Sequence, residues 1–171
     1  MTHQVRSAAG DTVVEVPEEA VLFDALKGDG PTTLFGPVLD GHSFLVASKR
    51  LQTMAAVARS RIAGTFGTEL ATLREAAETL DGIVSEMWDT GWSPKGGDIN
   101  LFTRDFGSVL AAALLELPGA IPVFRSKRML DHMSVWFPGQ CLEVFPFHKT
   151  VKCLREKQGE SMGQLYRFLV A

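Results

Sequence analysis

Apolar residues recur at helical spacing through the middle of this chain and then, from about residue 120, at the short spacing of strands. Leu51, Met54, Ala55, Ala58 and Ile62 fall on one face of a helix that Ser48 is placed to cap, and Gly64 and Gly67 interrupt it. A second helix is expected over 68–88, with Leu70, Leu73, Ala77, Leu80, Val84 and Met87 on one side. After a loop at 91–97, Asp98 can cap a third helix over 99–117 that stops at Pro118-Gly119. This helix is nearly all apolar from 109 to 117, which assigns it to the middle of the fold.

Beyond it the elements shorten. Ile121 and Val123, the pair Val135-Trp136, and residues 142–145 have the β-branched and aromatic character of strands. Residues 134–152 read as two aromatic strands joined at Pro138-Gly139. Pro146 ends the ladder there, which puts His148 and Lys149 at a strand end. A closing helix over 161–170 carries Met162, Leu165, Phe168 and Leu169 as its apolar stripe. Helices, then a small antiparallel sheet from about 120–150, then a helix is the order of an α+β domain.

The N-terminal part is less regular. Residues 1–17 read as a polar arm of poor order, in which 12–16 can add an edge strand. Pro17-Glu18-Glu19 opens a short helix lined by Val21, Leu22 and Leu26, and Gly28-Asp29-Gly30-Pro31 stops it. Residues 34–46 read as two extended pieces around a turn. The length of 171 residues suits a single domain.

Two segments echo each other: Phe66-Gly67-Thr68-Glu69-Leu70-Ala71 and Phe106-Gly107-Ser108-Val109-Leu110-Ala111. A glycine in such a helix allows a neighbour to approach closely. The second copy also opens a resemblance. Phe106-Gly107-x-x-Leu110-Ala111-x-x-Leu114, a short strand, then Trp136-x-Pro138-Gly139-x-x-Leu142-x-Val144-Phe145-Pro146 and a later lysine resembles a small bacterial domain family with no assigned activity. The resemblance covers roughly the last seventy residues, and Phe137 departs from the family's usual Trp-Pro-Gly order. It implies a compact α+β domain and a bacterial source, and it implies no reaction.

Composition bounds the rest. With 46% hydrophobic and 22% charged residues, the chain is of the ordinary globular kind and needs no disulfide or metal to hold a core. A net charge of −3 argues against a dedicated nucleic-acid binder. The start lacks an apolar signal core, and the longest apolar run, 109–115, is too short to span a bilayer. Two cysteines, Cys141 and Cys153, fit a reducing cytoplasm in which both are reduced and partly buried. Their spacing is not that of a zinc site, so no metal or cofactor is expected.

Charge is unevenly spread. Residues 1–40 hold seven acids against Arg6 and Lys27, whereas 121–157 hold seven bases against Asp131, Glu143 and Glu156. The candidate partner-binding residues are therefore Arg125, Lys127, Arg128, His148, Lys149 and Lys152. If the two basic runs meet in space, a protein with an acidic surface is the fitting partner. The competing reading is a small-molecule pocket between helix and sheet near His132, Cys141 and His148. A triad built on Asp131 and His132 is not expected, because neighbouring side chains diverge, and of the close nucleophiles Ser134 sits in no nucleophile elbow and Cys141 has no family signature around it. Lys95-Gly96-Gly97-Asp98 has the wrong order for a phosphate loop. Trp88 and Trp92 can seal a core edge or stack on a ligand.

Overall fold

The computed structural model describes residues 2–6, 13–17, 32–33, 36–37, 39, 41–70, 73–94, 98–126, 128–156 and 161–171. Strands β1 (Thr2–Arg6) and β2 (Val13–Pro17) form an antiparallel pair in which Gln4 faces Glu15. The strand expected over 12–16 is thus β2. A second, minimal pair joins β3 (Thr32–Thr33) and β4 (Gly36–Pro37). The short helix expected after Pro17 lies outside the described residues.

Helix α1 (Gly41–Phe66) corrects the sequence reading at both ends. Residues 41–46 are helical rather than extended, because Phe44 and Ala47 continue the stripe of Leu51, Ala55, Ala58 and Ile62 one turn earlier. Phe44 meets the buried Phe124 edge to face at 5.3 Å. Gly64 does not interrupt the helix; Gly67 ends it, at φ +65°, with its N–H donating to the Ala63 carbonyl at 3.0 Å.

Helix α2 (Leu73–Asp89) starts later than the expected 68 and buries Ala77, Leu80, Val84 and Met87 as read. Helix α3 (Asp98–Leu115) is the centre of the fold. Every residue from 105 to 111 is buried, and it packs on α1, α2, a later helix and the sheet. The echoed hexapeptide plays two roles, since Gly67 terminates one helix whereas Gly107 lies within another.

The three-stranded sheet consists of β5 (Ile121–Val123), β6 (Ser134–Phe137) and β7 (Leu142–Val144), with β6 central and both neighbours antiparallel. The hairpin turn is a tight helical turn at Pro138–Gln140 followed by Cys141 at φ +49°. Val135 and Phe137 point into the core. The sheet stops at Val144, short of the expected 150.

Where the sequence suggests a strand end, the chain instead enters helix α4 (Pro146–Arg155). Proline fits the first turn of a helix as well as it ends a strand, and the buried positions 146, 147, 150, 153 and 154 have helical period. Phe147 is seated directly over Gly107: a Cβ there would lie within 2.9 Å of the ring. That contact fixes α4 against α3.

Helix α5 (Met162–Val170) closes the chain, with Ser161 as N-cap accepting from the Gln164 N–H at 2.9 Å. Asp81 on α2 anchors it. Its carboxylate accepts the Met162 and Gly163 N–H groups, each at 2.8 Å, and the Ser161 hydroxyl at 2.5 Å. Of the expected stripe, Met162 and Leu169 are buried, but Phe168 is 66% exposed and Tyr166 takes the buried place.

Candidate functional site, a basic groove

The period of the strands decides where the first basic residue goes. Ser134 and Trp136 share the face of β6 opposite Val135 and Phe137, and the register places Glu143 beside Trp136. Arg125 lies two residues beyond Val123, the partner of Ser134, so its side chain joins this face. There its guanidinium donates to Glu143 Oε1 at 2.5 Å, Ser134 Oγ at 3.0 Å and the His132 carbonyl at 2.9 Å. Ser134 Oγ in turn donates to Glu143. The guanidinium also sits 5.2 Å from the Phe145 ring centroid. With its side chain 4% exposed, Arg125 belongs to the interior of the sheet.

Arg128, three residues on, faces outward into a groove of about 840 Å³. Arg50 binds this segment to α1 by donating from Nη1 to the Arg128 carbonyl at 2.8 Å. The groove runs between α1, the first turns of α3, the segment 128–131 and α4. Its described lining includes Arg50, Arg104, Arg128, His148, Lys152 and Arg155, against Asp131 as the sole acid among them. Among the described residues, no ion pair engages Arg128, Lys152 or Arg155. Met54, Ile99, Leu101 and Val151 supply apolar surface between these charges, with Leu130 and Phe147 buried beneath them.

Of the six residues singled out from sequence, the groove gathers Arg128, His148 and Lys152. Arg125 is enclosed by the sheet, Lys149 is half-buried outside the lining, and Lys127 lies outside the described residues. Sequence reasoning missed Arg50, Arg104 and Arg155. The spacing of His148, Val151, Lys152 and Arg155, at i, i+3, i+4 and i+7, was the available signal for the last of these.

His148 is also the one member of the expected small-molecule pocket in the groove, where its ring stacks on Phe145 at 5.8 Å. Cys141 is exposed rather than partly buried, at the hairpin turn, and Cys153 is buried. His132 and Asp131 are both exposed, 3.9 Å apart, while Ser134 is buried and directed at Glu143; the three do not assemble a triad. Trp88 and Trp92 seal a core edge: they meet edge to face at 5.9 Å, and Trp88 Nε1 donates to the Leu154 carbonyl.

One further charge is buried close by. Asp105 on α3 pairs with Arg61 at 3.4 Å. Burial pushes its carboxyl above the ordinary aspartate value, against the lowering pull of Arg61 and Arg104.

Among the described residues no group of three or more His, Cys, Asp or Glu comes together as for a metal, and no helix is long and apolar enough to cross a membrane. The class defined by this architecture is α+β and mostly helical. Compared with known proteins, the chain matches no family model, no curated protein and no solved structure.

Proposed function

We propose that the protein acts by binding, without catalysis, and that its basic groove docks an acidic surface of a partner protein, in the manner of an immunity or adaptor protein of the bacterial cytoplasm. One observation carries this reading. Arg104, Arg128, Lys152 and Arg155 surround a single concave surface with Asp131 as the sole acid of its described lining, in a chain whose net charge is −3. Gathering like charges raises the energy of the free protein, and an acidic partner relieves it. Free Cys141 and Cys153 support a reducing compartment. The bacterial source rests on the resemblance of the Phe106-Gly107 helix and the Trp136-to-Pro146 hairpin.

Nucleic acid fits this groove less well. Stacking of bases needs exposed rings. Phe147 is buried, and the His148 ring already lies on Phe145.

Fluorescence anisotropy with labelled poly-glutamate and with a single-stranded oligonucleotide tests the reading. The expected result is poly-glutamate binding that weakens with added salt and falls at least about tenfold in an Arg128→Glu/Lys152→Glu variant. Absence of binding, or binding indifferent to the charge reversals, would sink it. Tighter binding of the oligonucleotide would transfer the groove to nucleic acid.

A further inference from the structure

Resting on that reading, we infer that the groove's occupant is an acidic amphipathic helix, which lays an apolar stripe on the groove and meets its cations with the carboxylates on either side. The pattern of the walls points to this ligand rather than to a plain polyanion. Each helical wall sets an apolar side chain next to a cation. On α1 these are Met54 and Arg50, on α3 Leu101 and Arg104, and on α4 Val151 and Arg155, each pair about one turn apart.

Leu101 is 38% exposed, and Met54 and Val151 are half-buried. A site built for charge alone has no use for these side chains, whose apolar surface stays in water until something covers it. A free phosphate would leave most of a cavity of about 840 Å³ unfilled. The stripe from His148 to Arg155 on α4 is about 10 Å long, two helical turns, which suits a short helical ligand presenting its own i, i+3, i+4 face. A helix is the conformation that arranges apolar and acidic residues in adjacent stripes at this spacing.

Three synthetic peptides of about four helical turns test the inference by anisotropy or calorimetry. The first has leucines at i, i+3, i+4 and i+7 and glutamates elsewhere, the second has the same composition scrambled so that no stripe forms, and the third is poly-glutamate. The striped peptide is expected to bind at least about tenfold more tightly than the other two. Leu101→Ser and Met54→Gln are each expected to remove that advantage while leaving poly-glutamate binding in place. Leu101 stands at the exposed lip of the groove, so its variant decides the matter even if Met54→Gln unfolds.

Equal affinity of all three peptides, with charge reversal still abolishing binding, would overturn the helix while the acidic-partner reading stood. Failure of every peptide to bind would overturn both. A single-stranded oligonucleotide outcompeting the striped peptide would also overturn it.

Discussion

Arg125 and Arg128 stand three residues apart in one basic run, yet the sheet encloses the first and the second lines an open groove. Arg125 follows a strand in register, and the period of two carries its side chain to Glu143, Ser134 and Phe145. Arg128 lies beyond that register, where Arg50 holds its carbonyl and its exposed side chain lines the groove. A run of bases in sequence is therefore not a basic surface. Strand register removes one charge from it, and helix packing adds others from residues far away. Phe145 joins the two regions, with Arg125 on its ring and His148 stacked beside it.

The largest expected effect comes from breaking the enclosed pair. Arg125→Met leaves the half-buried Glu143 carboxylate and the buried Ser134 hydroxyl without their cation, at a cost of about 2–4 kcal/mol in stability by chemical denaturation. Adding Glu143→Leu is expected to recover much of the loss. A cost below about 1 kcal/mol for the single variant would show that Arg125 is no part of the interior.

Gly107→Ala comes next, because its Cβ collides with the Phe147 ring. About 1–3 kcal/mol of stability should be lost. Displacing α4 should also weaken binding of acidic peptides, so this variant touches both regions. Unchanged stability would mean that the ring moves aside freely.

Charge reversal at the groove should separate the regions. Arg128→Glu with Lys152→Glu is expected to alter stability by no more than about 0.5 kcal/mol, as exposed positions do, while acidic-peptide affinity falls at least about tenfold. A large loss of stability would place these side chains in the fold rather than at a binding surface.

Asp105→Asn gives the smallest effect and the clearest sign. The Asp105 carboxyl is raised by burial in the folded protein, so its ionised form opposes folding once the pH exceeds that folded value. Stability should therefore rise as the pH falls from there into the ordinary carboxylate range. The asparagine variant lacks this rise and should be as stable as the parent, or more so, near neutrality. Arg61 is 43% exposed and returns to water. Thermal melts across the acid range measure both features, and a variant less stable at neutral pH would reverse the assignment.

Legibility followed the range of the interactions. The hairpin could be read from Trp136, Pro138-Gly139 and Val144 because turn chemistry and alternation are local. The central placement of α3 followed from its apolar run, and the closing helix from the spacing of Met162, Leu165 and Leu169. Helix α4 was misread because Pro146 both ends a strand and begins a helix, and the helical period of Phe147, Thr150, Val151 and Leu154 beyond it is too short to stand out before the Phe147–Gly107 contact is seen. The enclosure of Arg125 depended on a register invisible in its own segment. The groove depended on still more, since Arg50, Arg104 and Arg155 come from three helices whose packing no local pattern records. Phe168, at a stripe position yet exposed, shows that helical period alone does not say how far the core extends.

The division between enclosed and open charge is tested most directly by a two-dimensional 1H–15N spectrum of the protein titrated with the striped acidic peptide. Shifts are expected to concentrate on Leu101, Arg104, Arg128, Val151, Lys152 and Arg155, with Arg125, Ser134 and Glu143 unmoved. Shifts spread over other surfaces, or centred on the sheet around Arg125, would contradict the account.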